Sequence, residues 1–178
     1  VKVKGTSTSG LKNGTWEWFA SNGKREKIAT YAAGKLQGAY TAYKADGTTD
    51  VQGWYAQDKK DSTWTWFGPN GKPDMSGPFR RDLRQGVWKF WYPNAQLSST
   101  GAFQADKEEG DWLYYYQGGQ LWKKGAFTAG AKTGVWSTRY ENGQLLQEGP
   151  YASGTENGKW QSWFENGNPD EATLWVRG

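Results

Sequence analysis

An aromatic column recurs every 24 residues: Phe19, Tyr43, Phe67, Trp91, Tyr115 and Trp163, with Arg139 taking its one remaining place. Flat rings at a fixed spacing bury much area at little cost in side-chain entropy, which suits a surface that binds a protein or a glycan. Strict strand alternation puts Trp54 and Trp122 on the same surface. The competing reading is structural: a β-bulge or sheet twist would turn these rings inward, since large aromatics are usually at least half buried.

Other candidate chemistry is thinner. Arg80, Arg81 and Arg84 form the densest basic cluster and could meet a phosphate, an anionic lipid or an acidic protein. Asp82 sits inside the run, however, which favours a solvated loop. Asp106, Glu108, Glu109 and Asp111 have the side chains a glycosidase needs, but they crowd a connection with no expected pocket to raise a pKa. With no Cys, no His and a single Met, thiolate chemistry, imidazole acid-base work and the usual zinc ligands are missing. The expectation is a non-enzyme with no metal and no cofactor. A net charge of +4, spread along the chain, argues against a nucleic-acid partner. No apolar run is long enough for a spanning helix. The absence of Cys leaves the redox compartment open. The chain starts at Val1 without an initiator Met, which favours a trimmed, extracytoplasmic chain (secreted, periplasmic or lipoprotein) over a cytoplasmic one.

What would position such a column is a repeat. Units start at 14, 38, 62, 86, 110, 134 and 158 with Gly-x-Trp, varied to Tyr40 and Ser62, and residues 1–13 form a partial unit. Counting each unit's first residue as position zero, position eight is Asn22, Asp46, Asn70, Asn94, Gly118, Asn142 and Asn166. Position nine is Gly except at Ala95. Asn-Gly between apolar runs predicts a hairpin closed by a type I′ turn, with positive φ at both residues. Position fifteen is Gly in five units, with Ala29 and Thr173 at the ends, and position seventeen is always aromatic, from Tyr31 to Trp175. A turn centred there places each position-two Trp across from position fifteen, so that an indole lies over a residue with no side chain.

Alternation then gives a core face of positions two, four, six and seventeen, and a polar face of positions one, three, fourteen and sixteen. Positions eighteen to twenty-three, such as 56–61 and 104–109, read as polar surface connections, where mixed charges such as Asp58, Lys59, Lys60 and Asp61 blunt edges and aid solubility. The expected fold is all-β: one array over 1–178, an elongated single-layer antiparallel meander of about fifteen strands and roughly 70 Å.

These residues resemble the MORN-repeat family in its bacterial variant, whose units read approximately G-x-W-x-x-[YFW]-Y-x-N-G-x-L. Residues 86–97 and 134–145 match closely, and the resemblance runs from about Gly5 to Trp175. It implies an elongated sheet of hairpins that binds proteins or, in some members, lipids; many bacterial members are labelled antitoxins. The expected function is a protein-protein interaction scaffold, antitoxin-like, immunity-like or serving envelope assembly. A carbohydrate or cell-wall binder and a peripheral membrane-lipid binder are the alternatives.

Overall fold

The computed structural model describes the backbone of residues 2–175 and the side chains of 2–170. Among the described residues all regular structure is strand. The chain forms two compact units, Val1–Gln85 and Gly86–Gly178. In the first, β1 (Lys2–Thr8), β2 (Leu11–Phe19), β3 (Arg25–Ala32), β4 (Lys35–Tyr43), β5 (Thr49–Ala56), β6 (Lys59–Phe67), β7 (Pro73–Arg80) and β8 (Leu83–Arg84) each pair antiparallel with the next. The second repeats the meander through β9 (Gly86–Trp91), β10 (Leu97–Gln104), β11 (Lys107–Tyr115), β12 (Leu121–Thr128), β13 (Ala131–Arg139), β14 (Leu145–Ala152), β15 (Thr155–Glu156), β16 (Gly158–Trp163) and β17 (Pro169–Trp175). The short segments β8 and β15 end beside Gln85 and Asn157, whose N–H groups donate to the Pro78 and Pro150 carbonyls. Proline returns no N–H, so half of each bridge is missing and one strand is counted as two.

The expected register is correct: Trp64 pairs with Gly77, Trp112 with Gly125 and Trp136 with Gly149. The indole, however, does not cover that glycine. A Cβ added to Gly53, Gly101, Gly125 or Gly149 would fall inside Trp64, Trp112, Trp136 or Trp160, the position-two residue of the following repeat. Gly5 of the partial unit meets Trp16 in the same way. Each indole also donates its Nε1–H backward across the connection, Trp64 to the Trp54 carbonyl at 3.0 Å and Trp136 to the Ala126 carbonyl at 3.1 Å. The Trp is thus glue between consecutive repeats.

Ala29 supports this assignment. It pairs with Tyr40, the position-two residue that is not Trp, and is 1% exposed. The smaller ring lies where a methyl must fit, so two departures from the repeat form one compensated pair.

Edge-to-face rings complete the core face. Trp112 meets Phe103 at 5.1 Å and 86°, and Phe127 at 6.0 Å and 79°. Such pairs contribute about 0.5–1.5 kcal/mol each beyond their buried area. Lys12, Lys60 and Lys132 extend over the rings, at 4.8 Å from Trp16, 5.0 Å from Trp64 and 4.8 Å from Trp136. Their aliphatic stems cover apolar surface while the ammonium meets the ring quadrupole.

The turns exchange the roles expected of them. Positive φ at two successive residues occurs in the connections, at Ser9–Gly10, Ala33–Gly34, Gln57–Asp58, Arg81–Asp82, Ala105–Asp106, Ala129–Gly130 and Ser153–Gly154. The connections are therefore two-residue turns of type I′ character, and the residues after them belong to strands. In the Asn-Gly hairpins only the Gly is left-handed. Gly23 N–H donates to the Ala20 carbonyl and the Asn22 Oδ1 accepts from Lys24 N–H at 3.0 Å, a type I turn followed by a left-handed Gly. Asparagine can satisfy the backbone with its side chain instead of adopting positive φ. Asp58 and Asp82 are likewise structural, accepting from the Leu36 and Lys60 N–H groups at 2.7 Å.

Gly125→Ala drives a methyl into the buried Trp136 ring, so urea unfolding should show a loss of about 2–3 kcal/mol. Gly110→Ala, with φ of 68° and nothing within 4 Å, should lose only about 1–2 kcal/mol from backbone strain. Equal losses would contradict the inter-repeat packing. Burial of Tyr114, then the charge of Glu108, pushes its phenol up to about 12. The raised folded-state value means that stability present below pH 10 is lost as pH climbs from about 10 to about 12. Tyr114→Phe should flatten that decline in an alkaline stability series.

Candidate binding surface

The polar face is not uniformly polar. In the second unit it contains a groove of about 600 Å³, whose floor is Gly101, Ala102, Gly125 and Ala126 and whose apolar sides include Val87 and Val135. Strand alternation places Val87 and Val135 at position one of units two repeats apart, and they are 58% and 60% exposed. Leu113 adds apolar surface, while Asp111 and Lys124 supply one charge of each sign. Position fifteen must be Gly to receive an indole on the far face, and since any side chain there would point to that face, it offers only backbone to the groove. Position sixteen is Ala in these two repeats. Register shifts between Thr100 and Ala102 and between Lys124 and Ala126 interrupt the ladder at the same level.

A related groove of about 470 Å³ in the first unit is lined by Ala39, Gln52, Gly53 and Thr63, with Trp54 at position sixteen. Trp54 is 46% exposed, so this part of the aromatic reading stands. Sequence reasoning missed the valines. The signal was available, since position one reads Thr, Ala, Thr, Val, Asp, Val, Lys, and two β-branched apolar residues on a polar face invite explanation.

The position-five column is half-buried throughout, at Phe19, Tyr43, Phe67, Trp91, Tyr115 and Trp163. A bulge does lie beside it: Trp18 pairs with Lys27 but Phe19 with Arg25, and Tyr114 with Lys123 but Tyr115 with Leu121. The extra residue is on the second strand, at position twelve, so alternation along the first strand persists. Phe19 lies under the Arg25 guanidinium at 5.9 Å, and Arg25 pairs with Glu17 of position three at 3.3 Å. Ring and ion pair therefore share the groove-bearing face. No ring-ring contact joins the column among the described residues, as two strand spacings of roughly 4.8 Å between members require.

Three sequence candidates move elsewhere. Trp122 is the bulged residue and rotates to the aromatic face, where it meets Tyr114 at 6.5 Å and Tyr116 at 6.0 Å. Arg139 caps its own hairpin, donating from Nη1 to the Gly143 carbonyl at 2.8 Å. The arginine cluster is split by the turn: Arg84 pairs with Phe79 and Arg80 with Leu83, which puts them on opposite faces, while Arg81 occupies the turn. Among the carboxylates, Glu109 accepts from the Ala129 N–H at 2.8 Å, and no acidic group of three or more that could hold a metal occurs among the described residues.

The MORN repeat variant family matches residues 12–33, 108–128, 132–153 and 156–175. MORN repeats are often modules of protein or membrane-lipid interaction. No curated protein matches the chain at a significant level.

Proposed function

We propose that the chain is a non-catalytic protein-binding scaffold whose groove-bearing face receives an extended segment of a partner protein. Exposure of Val87 and Val135 over a floor of Gly and Ala carries the reading. A partner backbone can approach closely where side chains are missing, and branched side chains on either side give apolar area to bury. The half-buried column, represented by Trp91, Tyr115 and Trp163, lies further along the same strands and supplies aromatic anchors beside the groove. A role of antitoxin, immunity or envelope-assembly type is the finer form of this reading. An oligosaccharide stacked on Trp54 is the competing reading, favoured by that ring's place in the first unit's groove.

Comparative capture with wild-type, Val135→Asp and Tyr115→Ala chains tests the face. A specific partner should be weakened about tenfold or more by either substitution, because each removes buried contact. Lys60→Met, over the rings of the opposite face, should leave capture unchanged. A partner held equally by all four chains would reject the surface. Trp54 fluorescence changes on oligosaccharide titration, lost in Trp54→Ala, would instead establish the glycan reading.

A further inference from the structure

The aromatic face is interrupted in its second unit in a way that the scaffold reading does not use. Position four carries Trp18, Trp66, Phe90 and Tyr114 in four repeats, but Ala42, Thr138 and Ser162 in the second, sixth and seventh. Thr138 is 8% exposed and pairs across β12 and β13 with Lys123. Where the ring is present, as at Trp18, one indole partners two ammoniums, with Lys12 at 4.9 Å and Lys27 at 4.4 Å. At Thr138 that ring is missing, and Lys123 at 5.3 Å joins Lys132 at 4.8 Å over the neighbouring Trp136. Lys132 is near enough for its charge to act on the Lys123 ammonium.

Two ammoniums drawn to one ring repel unless an anion lies between them. No carboxylate pairs with either one among the described residues. Glu156 is occupied as acceptor of the Tyr151 hydroxyl at 3.1 Å, on the ring that also lies 4.6 Å from Lys132. Desolvation by burial, then the charge of Lys132, holds the Lys123 ammonium below its ordinary value, the response of a cation that lacks its counter-charge. Trp122, 39% exposed, stands beside the pair with its ring 5.9 Å from the Lys123 ammonium.

We propose that Lys123 and Lys132, set over Trp136 where Thr138 replaces a ring, form a binding site for a phosphate group, with Trp122 receiving the flat or apolar part of the molecule that carries it. A phosphate dianion neutralises both ammoniums at once and offers enough oxygens to reach both, whereas one carboxylate would leave a net positive charge. The site is on the face opposite the groove and is independent of the proposed protein partner.

Phenyl phosphate and inorganic phosphate, titrated by calorimetry, are the soluble probes. Phosphatidylcholine vesicles with and without phosphatidic acid probe a lipid source. Lys123→Met and Lys132→Met should each weaken binding about tenfold, as loss of a charged hydrogen bond does. Thr138→Phe should abolish it by restoring the ring that position four carries in other repeats, and Lys60→Met should bind as wild type. Phenyl phosphate should bind more tightly than inorganic phosphate, and Trp122→Ala should remove that advantage. Lys123-dependent binding of phenyl phosphate alone assigns a soluble ligand, and Lys123-dependent binding to phosphatidic acid vesicles assigns a lipid headgroup. Absence of binding to every probe, or binding indifferent to Lys123→Met and Thr138→Phe in chains whose tryptophan circular dichroism is unchanged, overturns the proposal.

Discussion

An indole lying on the glycine of the preceding repeat is the contact on which the rest of this structure depends. Trp64, Trp88 and Trp136 are each 2% exposed or less, although an open sheet has no second layer to bury them. Trp64 and Trp136 are buried because the preceding repeat lends each a strand position without a side chain, and a backbone carbonyl for the indole N–H. Removing such a ring from a packed site costs about 3–5 kcal/mol in general, a large fraction of a domain's net stability. A hairpin of this kind is marginal alone and acquires its core only beside a neighbour, which is why the unit occurs as an array.

The opposite face follows from strand alternation. Glycine at position fifteen is selected by the indole on one side; on the other side alternation leaves only its backbone, and the small Ala102 and Ala126 next to it keep the trough open. Core packing and groove therefore rest on adjacent positions, fifteen for the indole and sixteen for the trough. Where position sixteen carries Trp54, the first unit replaces that small residue with a ring; the grooves then differ in chemistry although their backbones are alike. Differences between repeats at positions one and sixteen leave the glue untouched, so this face is free to vary.

Much of the architecture was legible because it follows from side-chain volume and strand alternation. The 24-residue period, the all-β class and the pairing of position two with position fifteen are all consequences of local spacing. The partner actually covered by the indole was not, since register gives a residue's Cα neighbours on both sides but not which way a ring leans. Turn types were misread for a related reason: Asn22 and Asn142 use their side chains to close a type I turn, while Gln57 and Ala105 take the left-handed conformation that sequence would assign to Asn-Gly. Trp122 was misplaced by one bulge, and one bulged residue suffices to move a side chain to the other face.

The two faces demand different properties of a ligand. On the groove face the exposed atoms are mainly methyl groups, backbone and half-buried rings, so affinity must come from area and shape, and charge contributes through little more than Asp111 and Lys124. On the aromatic face the rings are already satisfied by one another and by lysines from the strands, as Lys60 is by Trp64, Trp66 and Phe79. A ligand gains nothing there by stacking on a covered ring. It can gain only where the ladder is broken and cations gather without a counter-charge. Thr138 is such a break: Lys123 and Lys132 share the ring of the neighbouring Trp136 where position four carries none. In a repeat whose conspicuous residues serve cohesion, chemical specificity is to be sought at the residues that depart from the repeat without a compensating neighbour. Ala29 departs and is compensated by Tyr40; Thr138 departs and is not.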